Sequence, residues 1–203
     1  ILKVNCPTNE EIHLIKKKSI LIGQFDLLSD KEIINKLIKK KINIFSLNLL
    51  PRIARAQSMD VLSSQANLAG YRAVIESVEE FDKAVPMMMT AAGTITPAKI
   101  LVIGAGVAGL QAIATAKRLG GIVSATDVRT AAKEQVESLG GKFLSVDGAE
   151  NLETEEGYAK EAGKDFKKKQ EELLKNSIKK SDIIICTALI PGKKAPRIVS
   201  EDM

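Results

Sequence analysis

The chain has 203 residues, of which 45% are hydrophobic and 27% charged, a composition typical of one large or two small globular domains. Its formal net charge of +5 comes largely from lysine-rich patches, which lack the interleaved aromatic side chains of single-strand nucleic-acid binders. The patches therefore predict solvated helix faces and loops, and no nucleic-acid partner.

The cysteine and histidine content gives no sign of a metal site. Cys6 and Cys186 form no C-x-x-C pair and no zinc pattern with His13, the single histidine, so we expect a reducing compartment and no bound metal. Residues 87–116 are strongly apolar, but a proline and several glycines interrupt them. This stretch therefore predicts strand, turn and helix rather than a membrane span.

The first half of the chain predicts a βαβ unit followed by a long helix. Residues 19–25 and 42–50 have the character of strands, and residues 29–41 between them carry helix signals. From residue 63 to 83, apolar side chains recur every three or four positions, which predicts a helix of about 20 residues. Such a helix is about 30 Å long and can bridge two domains.

The second half alternates strands and helices in a regular order. Predicted strands cover residues 99–103, 122–127, 142–146 and 181–188, and predicted helices include residues 104–121 and 130–141. This alternation predicts an α/β fold with a doubly wound parallel sheet. A complete sheet of this kind has about two more strands, so we expect the chain to be a portion of a longer protein, cut at both ends.

The sequence GAGVAG, residues 104–109, has the G-x-G-x-x-G spacing of a dinucleotide-binding turn. It follows a predicted strand, opens a predicted helix, and is followed by Asp127 at the end of the next strand. In this motif Gly104 permits the tight turn, Gly106 lets the pyrophosphate approach the backbone, and Gly109 lets helix and strand pack closely. The free N–H groups at the helix N-terminus then attract the anion.

The residues after the second strand bear on which dinucleotide is bound. A carboxylate at the position of Asp127 accepts a hydrogen bond from the ribose 2′-OH of NAD and repels the 2′-phosphate of NADP. Arg129, two positions later, could hold a phosphate or lie along the adenosine. Because the carboxylate stands where the motif requires it, the sequence predicts NAD(H).

The segment PRIARAQSMD, residues 51–60, is unusual for a connection between elements. It contains two arginines, a glutamine, a serine and an aspartate, whereas connecting segments use Gly, Asn, Asp and Ser for their turn chemistry. We interpret it as a segment that holds a ligand.

Several longer stretches resemble one known family. They are PRIARAQSMDVLSSQANLAGYRAV, PMMMTAAGT, GAGVAGLQAIATAKRLG, ATDVR, KEQVESLGGKF, GYAKEAG and TALIPGK. Together they resemble the NAD(H)-binding component, which belongs to the α subunit in many bacteria, of proton-translocating NAD(P)⁺ transhydrogenase. The resemblance is nearly continuous over residues 51–203 and looser over residues 1–50.

The resemblance implies two Rossmann-like domains joined by the long helix, in a protomer that forms a homodimer. Residues 1–62 would belong to the first domain, and residues 63–203 would comprise the linking helix and the NAD(H)-binding domain. Hydride would pass directly between NADH and NADP⁺ on a separate component, while a membrane component couples the transfer to proton movement. The expected location is peripheral, on the cytoplasmic face of the bacterial inner membrane or the matrix face of the mitochondrial one.

The resemblance also assigns the segment 51–60 to the nicotinamide end of NAD(H). The family's catalytic cluster and the tyrosine of its mobile lid match Arg52, Gln57, Asp60, Ser63 and Tyr158. Such side chains would fix the carboxamide and its ribose by directional hydrogen bonds, which is orientation rather than acid–base work. A simple ion pair between Arg52 and Asp60 is the alternative.

The predicted NAD(H) contacts combine both signals. They are Arg52, Gln57, Asp60, Gly104, Gly106, Val107, Gly109, Asp127, Val128, Arg129, Gly157, Tyr158, Thr187 and Leu189. The stretch around Tyr158 is polar, glycine-bearing and without a clear period, which suits a loop that orders on ligand binding. A plain exposed loop has the same composition.

Two alternative functions remain open. Alanine dehydrogenase resembles this family in both domains, but the position that would align with its substrate-binding lysine is Asn5, and residues 19–25 contain no counterpart of its histidine. A non-catalytic NAD(H)-binding module would need the glycine-rich turn, but has less need of the cluster around Gln57 and Asp60.

Overall fold

The structure is a computed structural model that describes residues 1–26, 30–51, 53–146, 164–189, 195–201 and 203, with the backbone alone for residues 164–167. The chain divides into two compact units, Ile1–Ser64 and Gln65–Met203, and each is described by itself. None of the helices in the described residues combines the length and apolar character needed to cross a membrane.

The first unit contains the predicted βαβ arrangement. Its regular elements are α1 (Asn9–Leu14), β1 (Ile20–Gly23), α2 (Lys31–Lys39) and β2 (Asn43–Ser46). The two strands pair in parallel along their whole length, which confirms the βαβ prediction. A small core formed by Ile12, Ile15, Leu21, Phe25, Leu37 and Ile42 lies among these elements.

The segment after β2 is not the strand that the sequence predicts. Two 3₁₀ turns follow, Leu47–Leu49 and Ala54–Met59, and the long helix α3 (Val61–Glu79) begins two residues after the second. The prediction of a strand up to residue 50 is therefore wrong beyond Ser46. The strand stops there because its partner β1 ends at Gly23, which leaves the following apolar residues without a paired backbone.

The second unit contains a four-stranded parallel sheet with helices between its strands. Its elements are β5 (Lys99–Ile103), α4 (Val107–Arg118), β6 (Ile122–Thr126), α5 (Ala132–Ser138), β7 (Lys142–Phe143), α6 (Lys164–Ile178) and β8 (Ile183–Cys186). The strand order is β7-β6-β5-β8, so the chain reverses direction across the sheet between β5 and β8. This order confirms the predicted doubly wound sheet, whose ligands lie at such a reversal point.

The central strand β5 is buried on both faces. Ile100 and Val102 belong to the core shared with α4, whereas Leu101 and Ile103 pack on the opposite face with Leu174 of α6. Helices thus cover both sides of the sheet, which explains why the β5 sequence is a continuous apolar run rather than an alternating one.

A two-stranded antiparallel hairpin precedes this sheet, formed by β3 (Met88–Thr90) and β4 (Gly93–Ile95). The sequence analysis missed it, because its apolar residues do not alternate with polar ones as those of a half-buried strand do. Its side chains are exposed, including Met89 at 70%.

Candidate functional site

The glycine-rich turn joins β5 to α4 as the motif predicts. Gly104 has a φ of 98°, a left-handed conformation that favours glycine, and its N–H donates to the carbonyl of Thr126 at 2.8 Å. A Cβ added to Gly109 would lie 1.8 Å from the Gly104 oxygen, so only glycine fits between turn and helix. Backbone-to-backbone contact therefore fixes the shape of the turn.

The middle glycine of the motif has the opposite surroundings. A Cβ built on Gly106 meets no atom within 4 Å, so the turn opens into free space at this point. Gly106 is also the N-cap of α4, whose first residue, Val107, lies at the positive end of the helix dipole. An open backbone beside a helix N-terminus fits a pyrophosphate group.

Asp127 lies directly after β6 and connects two loops at the carboxyl edge of the sheet. Its Oδ2 atom accepts a hydrogen bond from the N–H of Ala105 in the glycine-rich turn, at 2.7 Å. Its Oδ1 atom accepts one from the N–H of Arg129 at 2.9 Å. The carboxylate therefore holds the turn against the end of β6.

The side chain of Arg129 forms a two-pronged ion pair with Asp127. Its Nε donates to Oδ1 at 2.9 Å and its Nη2 donates to Oδ2 at 3.0 Å. Burial disfavours the charged carboxylate, but the hydrogen bonds from Arg129 and Ala105 outweigh burial and hold the pKa of Asp127 below its usual range. Val128, between the pair, is half-buried.

Thr187 follows β8 and supports the turn from the other side. Its Oγ1 donates to the carbonyl of Gly104 at 2.8 Å, and its N–H donates to the carbonyl of Ile103 at 2.9 Å. Leu189, two residues later, is 71% exposed. The structure therefore places Thr187 next to the glycine-rich turn, while Leu189 lies on the surface.

In the first unit, three predicted residues line one pocket. Gln57, Asp60 and Ser63 surround a pocket of about 410 Å³ together with Leu50, Pro51, Ile53 and Ala56. The 3₁₀ turn Ala54–Met59 presents Gln57, and the start of α3 carries Ser63. The polar side chains of this cluster are thus close together on an apolar wall.

The carboxylate of Asp60 also caps α3. Its Oδ1 accepts from the N–H of Ser63 at 2.9 Å, and its Oδ2 accepts from the Ser63 hydroxyl at 2.6 Å. An aspartate in this position satisfies a free donor of the first helical turn and favours the positive end of the helix dipole. The sequence analysis missed this second role, although Asp60 directly precedes the helical pattern.

Three residues of the predicted site lie outside the described residues. They are Arg52, Gly157 and Tyr158. The predicted lid and the predicted pairing of Arg52 with Asp60 therefore stay predictions. Among the residues that the structure does describe, no three His, Cys, Asp or Glu side chains come together as a metal site.

One residue that supports the turn was not predicted. A Cβ on Gly70 of α3 would lie 2.0 Å from the carbonyl oxygen of Ala108, in the first turn of α4. The two helix backbones therefore touch where α4 begins. A lone glycine inside a helical pattern is the signal that was available, since such glycines often mark close packing.

Two family models match the chain. "Alanine dehydrogenase/PNT, N-terminal domain" matches residues 1–69, and "Alanine dehydrogenase/PNT, C-terminal domain" matches residues 73–203. The chain belongs to the alanine dehydrogenase/PNT family. Membership confirms the family resemblance of the sequence, and it implies that the chain binds a nicotinamide nucleotide.

Within the alanine dehydrogenase/PNT family, the chain is 58% identical over 196 residues to a protein of Rhodospirillum rubrum that is named as the first portion of NAD(P) transhydrogenase subunit alpha, covering 96% of this chain and 51% of that protein. A solved transhydrogenase structure from Sinorhizobium meliloti is 52% identical with a TM-score of 0.86, covering 98% of this chain and 54% of that one. "Alanine dehydrogenase 2" of Staphylococcus aureus is 26% identical over 207 residues, covering 100% and 50%. The chain thus spans about half the length of the relatives that it matches.

Proposed function

We propose that this protein is the NAD(H)-binding component of a proton-translocating NAD(P)⁺ transhydrogenase. It transfers hydride directly between NADH and NADP⁺, which is held on a partner component. A membrane component couples the transfer to proton translocation. The observation that carries the proposal is the 58% identity to a transhydrogenase α subunit, against 26% to an alanine dehydrogenase.

The second unit would hold the adenosine and pyrophosphate half of NAD(H). The open backbone at Gly106 and the N-terminus of α4 support a pyrophosphate site there. Asp127, at the carboxyl end of β6, supports a preference for the ribose 2′-OH over a 2′-phosphate. Val107, Val128 and Leu189 remain proposed contacts beside them.

The segment 51–60 would orient the nicotinamide end. The cofactor supplies the hydride, so the protein side chains need only position the ring and exclude competing geometries. The cap between Asp60 and Ser63 supports this role because it fixes the direction of the carboxylate. Gln57, in the same pocket, has the donor and acceptor atoms that a carboxamide pairs with.

We also retain the proposed domain assignment and assembly. Residues 1–62 would contribute a portion of a first α/β domain, and residues 63–203 the linking helix and the NAD(H)-binding domain, in a peripheral homodimer on the cytoplasmic or matrix face of a membrane. The exposed apolar hairpin β3–β4 supports dimerisation, since exposed strand edges with apolar side chains favour pairing with another chain.

An alanine dehydrogenase-like reaction is the second candidate, favoured by the name of the shared family. It needs a general acid/base and an anchor for the substrate carboxylate. Asn5 stands where we align the family's lysine, and residues 19–25 contain no histidine. This departure favours the transhydrogenase.

The test follows hydride transfer from NADH to an NADP⁺ analogue with a distinct absorbance. It uses the full-length protein mixed with an NADP(H)-binding component. We compare wild type with Gln57→Asn and Asp60→Asn, and we use the exposed Asp82→Asn as a control of the same charge change. Asparagine caps helices as well as aspartate does, so Asp60→Asn leaves α3 intact.

The proposal expects transfer in wild type and a large fall in the Gln57 and Asp60 variants with NADH binding retained. Wild-type transfer by both variants would overturn the orienting role. Tight NADH binding without any transfer would indicate a non-catalytic module. Consumption of NADH on addition of pyruvate and ammonia would identify the alanine dehydrogenase reaction.

A further inference from the structure

The carboxylate of Asp127 has no acceptor position left for a ribose. A carboxylate accepts about four hydrogen bonds. Oδ1 receives the N–H and Nε of Arg129, both at 2.9 Å, and Oδ2 receives the Ala105 N–H at 2.7 Å and the Arg129 Nη2 at 3.0 Å. If NAD(H) binds as in the proposed function, on which this inference rests, the adenosine ribose must displace one of these donors.

The four donors differ in how easily they move. The Ala105 N–H belongs to the glycine-rich turn, which backbone contacts fix on either side at Gly104 and Gly109. The Arg129 N–H belongs to the backbone directly after β6. The guanidinium group, by contrast, lies at the end of a flexible side chain and can rotate away without any backbone change.

The guanidinium also matches the group that would replace it. Its Nε and Nη2 offer two parallel donors, one to each oxygen of Asp127. The 2′- and 3′-hydroxyls of a ribose are likewise two neighbouring donors. We propose that Arg129 occupies the place of the adenosine ribose diol in the nucleotide-free protein and leaves Asp127 when NAD(H) binds.

Two consequences for binding arise from this exchange. The arginine keeps a buried carboxylate paired while the site is empty, but it competes with the ribose, so it lowers the affinity for NAD(H). The competition also adds selectivity. A 2′-phosphate brings acceptors rather than donors, and it therefore cannot take over the hydrogen bonds that Arg129 gives to Asp127.

The test measures dissociation constants by calorimetry on the full-length protein. The ligands are NADH, its adenosine 2′-deoxy analogue, and reduced nicotinamide mononucleotide, which lacks the adenosine. The variants are Arg129→Met and Arg129→Lys, and the control is Arg118→Met, which removes the same charge from an exposed position at the end of α4. Thermal melting confirms that each variant is folded.

For NADH, we expect the Kd to fall about tenfold in Arg129→Met and about threefold in Arg129→Lys, whose ammonium cannot bridge both oxygens. The 2′-deoxy analogue should gain clearly less, because it supplies one donor fewer. Neither the mononucleotide nor Arg118→Met should show a change. The lysine variant carries the test if the methionine variant does not fold.

An unchanged or higher Kd for NADH in the Arg129 variants would overturn the inference and would show instead that the arginine contacts the bound nucleotide. An equal gain for the 2′-deoxy analogue would overturn it as well. Failure of the wild-type protein to bind NADH at all would refute the proposed function itself, which is a distinguishable result.

Discussion

The glycine-rich turn and the segment 51–60 form two very different kinds of site. The turn consists of backbone: Gly104, Gly106 and Gly109 shape it, and strands buried on both faces hold it in place. The segment 51–60 consists of side chains on a 3₁₀ turn at the surface of a much smaller unit. A site shaped by the backbone tolerates almost no added atom, whereas a site of side chains depends on their chemistry.

The largest effect should come from two matched glycine changes in the turn. Gly109→Ala places a Cβ 1.8 Å from the Gly104 oxygen, and we expect it to cost about 3 kcal/mol or more of stability and to abolish NADH binding. Gly106→Ala meets no atom, so stability should change by less than about 0.5 kcal/mol while NADH binding weakens at least about tenfold. Urea unfolding and calorimetry measure both quantities. Equal stability losses would break the comparison.

The next effect concerns Gly70, which lies under the first turn of α4. Gly70→Ala brings a methyl group to 2.0 Å from the Ala108 oxygen, and the backbones must separate. We expect a stability loss of about 2 kcal/mol with weaker NADH binding, because α4 moves relative to the turn. Ala69→Ser, at the exposed neighbouring position, is the control and should leave both unchanged. Wild-type behaviour of Gly70→Ala would show that this contact does not position the helix.

A smaller effect should separate the two roles of Asp60 in the side-chain site. Asp60→Ala loses the hydrogen bonds to Ser63, so thermal unfolding should show a loss of about 1 kcal/mol. Asp60→Asn retains a capping side chain and should lose only a few tenths of a kcal/mol. If both variants unfold alike but hydride transfer falls in both, the carboxylate matters for orientation and not for the cap.

The smallest effect is a pH dependence due to Asp127. Its pKa is lower in the folded protein than the value of 3.8 usual for aspartate. The stabilisation is therefore fully present above that value and is lost as the pH falls through the lower folded pKa. Urea unfolding between pH 6 and pH 3 should show wild type losing more stability than Asp127→Asn. Parallel curves would mean that the ion pair contributes nothing to folding.

The same contrast explains what the sequence could predict. The sheet and the turn were predictable because apolar strands, glycine spacing and helix caps act over short distances along the chain. The hairpin β3–β4 was missed because its exposed strands lack alternation, and the 3₁₀ turn Ala54–Met59 carries no periodic pattern. The contact of Gly70 with Ala108 joins residues far apart in sequence, which local patterns do not reveal.

The segment 51–60 shows the limit from the other side. Its composition indicated a ligand, but only the resemblance to a family suggested which one. That Asp60 caps α3 depends on where the helix starts, which the sequence analysis located two residues too late. The saturation of Asp127 by Arg129 and Ala105 depends on the distance between two loops, which no spacing in the chain specifies.

The closed geometry of the glycine-rich turn has a consequence for the entropy of binding. Gly109 and Thr187 both lie against Gly104, so the backbone of the turn is already immobile before any ligand arrives. Its conformational freedom is lost when the protein folds and does not have to be lost again at association. Binding at the turn should therefore retain most of its favourable enthalpy.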